Sequence, residues 1–255
     1  MLNNVSNYSL GIFIITLLGM ILSVKLGQWR AHCRVSEENK HDELKVVLGA
    51  TLSLLGLLIG FTLSMSITGF NSRQQAEEQE AQTITSAFFR TELLNDLNAD
   101  KVRDGLQRYT QIRVDTYDTS TSALKVRYRE DARLLLKEIW QTVASEAKKS
   151  PNPVTASILT AITDLVAAQQ KTLADWRHQI PGAAWCLLIA VAMCCHFLIG
   201  YSSQPGQVSR LAVWVFPLLI SLSFFMVSEI DVPGQGIIRV MPNNLLLVLE
   251  QINRM

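Results

Sequence analysis

The chain has 255 residues, 49% of them hydrophobic and 18% charged, with a formal net charge of +1. A chain this apolar is not a disordered one, and so small a net charge gives no overall attraction to nucleic acid, so no nucleic-acid partner is expected. Its apolar residues are bunched into runs, which sets it apart from an ordinary soluble domain.

The runs are residues 10–26, 46–70, 182–201 and 211–230. A helix rising about 1.5 Å per residue crosses a hydrocarbon core of about 30 Å in about 20 residues, so each run is long enough to span. The expected fold is an all-α integral membrane protein with four transmembrane helices. Residues 1–70 form an N-terminal membrane hairpin, 71–181 a helical extramembrane domain continuous with the second span, 182–230 a C-terminal membrane hairpin, and 231–255 a tail. The first run has no basic residue before its apolar core, while Lys25, Arg30 and Arg34 come after it, which fits a retained span rather than a cleaved signal.

Residues 28–45 mix Arg30, Arg34, Lys40 and Lys45 with Glu37, Glu38, Asp42 and Glu43, and read as a solvated hairpin between spans. The second run then passes without proline into a polar half that keeps helical spacing as far as residue 94, predicting one long helix that leaves the membrane. Asn98 to Asp100 offers a cap and a break. Residues 101–117 follow as a helix with Val102, Leu106, Tyr109, Ile112 and Val114 toward one side. After a Ser/Thr-rich turn at 118–122, residues 123–149 form a helix expected to bury Leu134, Leu135, Ile139 and Val143. Ser150-Pro151-Asn152-Pro153 ends it, with Asn152 placed to cap the next helix and Pro153 to open it. That helix, residues 154–178, carries Ile158, Ile162, Leu165, Val166, Leu173 and Trp176 on one face, so the soluble part is expected to be an antiparallel helical bundle. The fourth span contains Pro217, where a kink is expected; residues 231–236 read as a turn, and 242–252 as a short amphipathic helix on the membrane surface.

Arg30, Arg34, Lys40, Lys45 and Arg210 lie on one side of the spans, and Arg73, Arg90, Lys171, Arg177 and Arg239 on the other, so the positive-inside rule gives a tie. Of the cysteines Cys33, Cys186, Cys194 and Cys195, none lies in the soluble segment, and no disulfide framework is expected. Cys194-Cys195-His196 does not form a chelate, because adjacent helical residues point about 100° apart; buried thiols beside a buried histidine are expected. Glu77, Glu78 and Glu80 splay around a helix and read as a solvated face rather than a metal cage. With no phosphate loop, nucleophile elbow or metal-ligand spacing, neither an enzyme nor a cofactor is expected.

The second span carries two adjoining stripes. Gly49, Ser53, Gly56, Gly60 and Ser64 recur at steps of four, three, four and four, a seam of small residues that admits a second helix closely. Leu57, Phe61 and Met65 recur every four residues on the neighbouring face. The plain reading of the ladder is lipid or core contact; the sharper one is a hydrophobic constriction that gates by dewetting.

The run Leu54-Leu55-Gly56-Leu57-Leu58-Ile59-Gly60-Phe61-Thr62-Leu63-Ser64-Met65, followed by Arg73, resembles the second membrane helix of bestrophin-type anion channels. More closely, the chain resembles the bestrophin-like family of four-span bacterial membrane proteins. Glu80-Ala81, Phe89-Arg90, Leu93-Leu94, Arg103, Leu106 and Tyr109, then Asp231-Val232-Pro233 and Gly236-Ile237-Ile238-Arg239-Val240, carry that likeness. It marks Arg73, Glu80, Asp231 and Pro233 as motif positions, and implies a homo-oligomer, a pentamer by analogy, conducting inorganic ions through a neck lined by Leu57, Phe61 and Met65. It also implies a bacterial inner-membrane location with the helical domain in the cytoplasm. Val232 stands where the family has arginine, and Ser66, Ile67 and Gln74-Gln75-Ala76 replace the polar and acidic-aromatic runs of the bestrophin channels, so anion selectivity does not carry over. A second reading, from a different class, is a membrane-anchored scaffold or sensor whose helical domain binds a protein partner without conduction.

Overall fold

A computed structural model of the chain describes residues 6–32, 40–94, 96–119, 121–202, 210–232 and 238–254. The middle of the first connector, the Pro205-Gly206 turn and the motif residue Pro233 lie outside the described residues. The elements are α1 (Ser6–His32), α2 (Lys40–Arg90), a 3-10 turn at Thr91–Leu93, α3 (Asp96–Asp118), α4 (Ser122–Lys149), α5 (Pro153–Asp175), α6 (Gly182–Ser202), α7 (Arg210–Asp231) and α8 (Asn243–Arg254). Among the described residues there is no strand. Segments Ser9–Ala31, Glu43–Leu93, Gly182–Ser202 and Val213–Asp231 are long and apolar enough to cross a membrane. The protein is an all-α integral membrane protein.

The chain forms two compact units, Met1–Thr68 with Gln179–Ile238 and Gly69–His178 with Arg239–Met255. In the first, Met20, Leu55, Leu188, Ala192, Cys195 and Phe224 form a buried core, rimmed by edge-to-face pairs Phe13–Phe225 and Trp185–Phe224 at 6.2 and 6.3 Å. Helix α1 meets α6 so closely that side chains are excluded. A Cβ on Gly27 would collide with the Phe197 carbonyl oxygen and sit 2.8 Å from the Tyr201 nitrogen, and one on Gly200 would collide with the Val24 carbonyl oxygen. The Ser23 hydroxyl donates across this contact to the Met193 carbonyl at 2.7 Å. On α1, Gly19, Ser23 and Gly27 recur at steps of four, a small-residue spacing that suits this close approach. Thr16 and Thr62 are buried with their hydroxyls bonded to carbonyls of their own helices, at 2.7 and 2.9 Å, so they bring no unsatisfied polar group into an apolar surrounding. Helix α7 continues through Pro217.

In the second unit the polar half of α2, with α3, α4, α5 and α8, shares one core that includes Ile84, Leu106, Tyr109, Leu136, Ile139, Val143, Ile158, Ile162 and Leu165. Asn98 to Asp100 does not break the chain but lies inside α3. The break comes earlier, where Thr91–Leu93 tightens into a 3-10 turn and Leu94, extended, donates its N–H to the Thr91 carbonyl at 3.0 Å. On α4 Ile139 and Val143 are buried as expected and Leu135 packs partly buried against the same core, but Leu134 is exposed, and Ala132 and Leu136 complete the buried stripe. Ile139 sits over Gly105 of α3, where a Cβ would meet its Cγ1 at 2.8 Å, so this glycine is required by close approach. The Asn152 cap forms as expected: its side chain accepts the Thr155 N–H at 2.9 Å while the Thr155 hydroxyl accepts the Asn152 N–H at 3.3 Å. Helix α5 stops at Asp175, short of residue 178.

Helix α8 corrects an expectation. Instead of lying on a membrane surface it packs into the helical bundle through Leu245, Val248, Leu249 and Ile252, with the Gln107 amide donating to the Asn253 side chain at 2.7 Å. An apolar stripe of this kind serves a bundle core and a lipid surface equally, so periodicity alone does not separate them.

Candidate functional site

Helix α2 turns two different faces outward and inward within the membrane unit. At about 100° per residue, Leu55, Thr62 and Ser66 fall on one side and Leu57, Phe61 and Met65 on the other. The first set is buried, and the Ser66 hydroxyl reaches the Val227 carbonyl at 3.4 Å. The second is open: Leu57 is 55%, Phe61 60% and Met65 52% exposed. Each step of four advances about 40° and about 6 Å, so the three side chains climb the helix as a slowly winding ladder. Gly49, Ser53, Gly56, Gly60 and Ser64 adjoin it and are exposed as well, and a Cβ on Gly49, Gly56 or Gly60 would meet nothing within 4 Å. The Ser53 hydroxyl bonds back to the Gly49 carbonyl at 2.9 Å, and Thr51 bonds likewise to Val47, so these hydroxyls are satisfied within their own helix. No ionisable residue occurs from Val46 to Phe70. This surface offers shape and apolarity but no acid, base or metal ligand.

The second unit holds a buried ionic centre. Glu80 and Arg113 are fully buried and paired face to face: Arg113 Nε donates to Glu80 Oε1 at 2.6 Å and Nη2 to Oε2 at 2.9 Å. The Tyr109 hydroxyl adds a bond to Oε1 at 2.6 Å and the Thr172 hydroxyl one to Oε2 at 2.9 Å. Burial alone pushes the Glu80 carboxyl up, but the Arg113 charge and these donors outweigh it and hold it below the ordinary carboxylate range. Burial and the Glu80 charge push the Tyr109 phenol well above its usual value. Burial opposes the Arg113 guanidinium, yet the Glu80 charge prevails and keeps it protonated. A carboxylate with all its donors in place is a clamp joining α2, α3 and α5, not a reactive acid.

Glu77 lies one turn before it, also buried, with Oε2 accepting the Asn244 amide at 2.7 Å and Oε1 the Leu245 backbone N–H at 2.9 Å. It thereby supplies the negative cap at the first turn of α8. The expected solvated face is therefore corrected: Glu78 remains exposed, but Glu77 and Glu80 share the inward side of α2 with Arg73 and Ala76. Arg73 is buried and donates to the His178 carbonyl at 3.3 Å. Arg90 donates to the Ser157 carbonyl at 3.0 Å, and Arg103 Nε to the Thr91 hydroxyl at 3.0 Å.

Arg113 escaped the sequence reading. Its signal was present, since it continues the buried stripe Leu106, Tyr109, Thr110 at helical spacing, and a charge on an apolar stripe implies a buried partner. The partner's identity lies 33 residues away in the chain and has no local trace. Among the remaining motif positions, Asp231 is buried in the membrane unit and accepts the Ile180 N–H at 3.0 Å. Cys195 and His196 are buried as expected, with His196 Nδ1 2.7 Å from the Ala192 carbonyl, but Cys194, expected to be buried too, is exposed because it points about 100° away from its neighbour; Cys186 is also exposed. Among the described residues no group of His, Cys, Asp and Glu is placed to hold a metal.

Comparison with known proteins places this geometry. No curated protein matches the chain. Crystal structures of a bacterial bestrophin homolog from Klebsiella pneumoniae share the fold. A single-residue variant superposes with TM-score 0.66 at 13% identity, over 99% of this chain and 96% of that one. Another structure of the homolog gives 0.62 at 14% identity, over 96% of each chain. The Bestrophin-like domain matches residues 11–245, nearly the whole length, and the chain belongs to the Bestrophin-like family.

Proposed function

We propose that the protein forms a homo-oligomeric ion pore, a pentamer by analogy with the family, in which α2 lines a hydrophobic neck at Leu57, Phe61 and Met65. One observation carries the reading: the ladder and the small-residue seam both lie on the side of α2 turned away from the chain's own spans. A face without charge over residues 46–70 suits lipid or a narrow, dewetting passage rather than bulk water, and glycines at 49, 56 and 60 let a neighbouring copy approach beside it. The permeant species are inorganic ions, and the substituted positions after the span leave their sign open. The helical unit faces the cytoplasm and the spans sit in a bacterial inner membrane, as the family relationship implies.

Reconstituted in planar bilayers, the wild type passes current, and Phe61→Ala or Met65→Ala raises or deregulates it, since a wider or less apolar neck wets more readily. If neither the wild type nor these variants conduct across varied ions and voltages, the pore reading fails. The scaffold reading is favoured by one feature, the exposed apolar side chains Val126, Leu134 and Trp140 on α4, which suit a protein partner. Capture of a defined partner lost on Val126→Glu, with no conductance, would support it instead.

A further inference from the structure

Helix α2 is unbroken from Lys40 to Arg90, so its faces can be followed past the seam and the ladder. Residues eighteen positions apart are separated by about five full turns at about 100° each and share a bearing. The seam positions Gly60 and Ser64 therefore continue as Glu78 and Gln82, and the ladder positions Leu57, Phe61 and Met65 as Gln75, Gln79 and Thr83. Between Asn71 and Phe89 the exposed side of α2 carries mostly amides, and Glu78 is its one charged residue. The Glu78 carboxylate accepts the Gln82 amide at 3.2 Å.

A cation stands on the opposite flank. Ala76 and Glu80 lie about 60° and about 100° from Gln79, on the side away from Glu78. There the Thr172 hydroxyl of α5 meets the Ala76 carbonyl at 3.4 Å and the Glu80 carboxylate at 2.9 Å. This seats α5 beside the ladder bearing, and its exposed Lys171 reaches round to donate to Gln79 Oε1 at 2.8 Å. Two acids share that side of α5, Asp175 one turn on and Asp164 two turns back, and neither meets the ammonium. Among the described residues neither Lys171 nor Glu78 forms an ion pair; each is held by a neutral amide of α2. Hydrogen bonds between two ionised groups are stronger, so both have more to gain from an opposite charge.

We propose, resting on the homo-oligomer reading, that Glu78 of one copy pairs with Lys171 of the next and so latches neighbouring helical units together. A ring joins unlike edges head to tail, so each copy must offer complementary features on its two flanks. The open face of α2 does so, with an anion on the seam flank, a cation on the α5 flank, and Gln75, Gln79 and Thr83 uncharged between them. A two-fold dimer through either flank would set like charges together, so the same pair favours a ring over a dimer.

The test uses the full chain in detergent, reading its mass by light scattering over a dilution series. Glu78→Lys and Lys171→Glu each set like charges across every contact and raise the half-dissociation concentration about tenfold or more. The chain carrying both reversals assembles like the wild type. Mixing the two single variants also restores assembly, because each supplies the charge the other lacks, which a pair within one chain would not do. If a reversed variant does not fold, cross-linking carries the test: a zero-length carbodiimide joins Glu78 to Lys171 between wild-type chains, and Glu78→Gln abolishes that link. Single reversals that leave the mass unchanged, or that mixing does not rescue, overturn the pair while the homo-oligomer stands. A wild type that is monomeric at every concentration removes the homo-oligomer itself, and the pair with it.

Discussion

Glu80 illustrates how a single side chain fixes a bundle. Its carboxylate collects donors from α3 and α5 while sitting on α2, so removing it strands Arg113 without a counter-charge. Glu80→Ala is expected to cost about 3–5 kcal/mol, the usual penalty for breaking a buried pair from one side. A combined Glu80→Leu and Arg113→Met variant recovers much of that, because the uncompensated charge goes with it. Thermal unfolding of the purified protein measures both, and equal losses in single and double variants would refute the clamp. The pair also sets an acid limit. Because the folded-state value of Glu80 lies below its ordinary 4.5, its contribution is fully present above that pH and is lost as pH falls through the depressed value. The melting midpoint of the wild type therefore drops more steeply below pH 4.5 than that of Glu80→Gln, which has no carboxyl to protonate there.

Two helix contacts use glycine in opposite ways. Between α1 and α6 the backbones touch at Gly27 and Gly200, so Gly27→Ala must push the helices apart, at about 1–3 kcal/mol, lowering the midpoint of the chain whatever its oligomeric state. On α2, a Cβ at Gly56 enters open space. Gly56→Ala is expected to leave the chain's own packing intact and to act, if the seam receives a neighbouring copy, on oligomer mass in detergent, read by light scattering. An unchanged mass for Gly56→Ala and the bulkier Gly56→Leu would remove the seam from the interface. Element boundaries were legible where the local chemistry is decisive, as at Asn152 and Pro153, where cap and first helical position are written in adjacent residues. They were not legible at residues 91–100, because Asn98 and Asp100 are equally compatible with a cap and a helical surface.

For the whole molecule, a ring with α2 nearest its axis in projection images is the arrangement the proposed pore requires, and a dimer would favour the scaffold. The sequence by itself determined that four helices span a membrane and that a helical bundle stands outside it. Runs of about 20 apolar residues have no other stable solution in lipid, and 3.6-residue periodicity in the polar segment reports which faces need cover. It also identified the ladder at Leu57, Phe61 and Met65 as a stripe, though not the direction that stripe faces. Tertiary structure alone decided that Leu55, Thr62 and Ser66 turn inward, that Glu80 finds Arg113, and that α8 joins the bundle. Each depends on residues tens of positions apart, and periodicity records that a side chain needs a partner without recording which one folding brings to it.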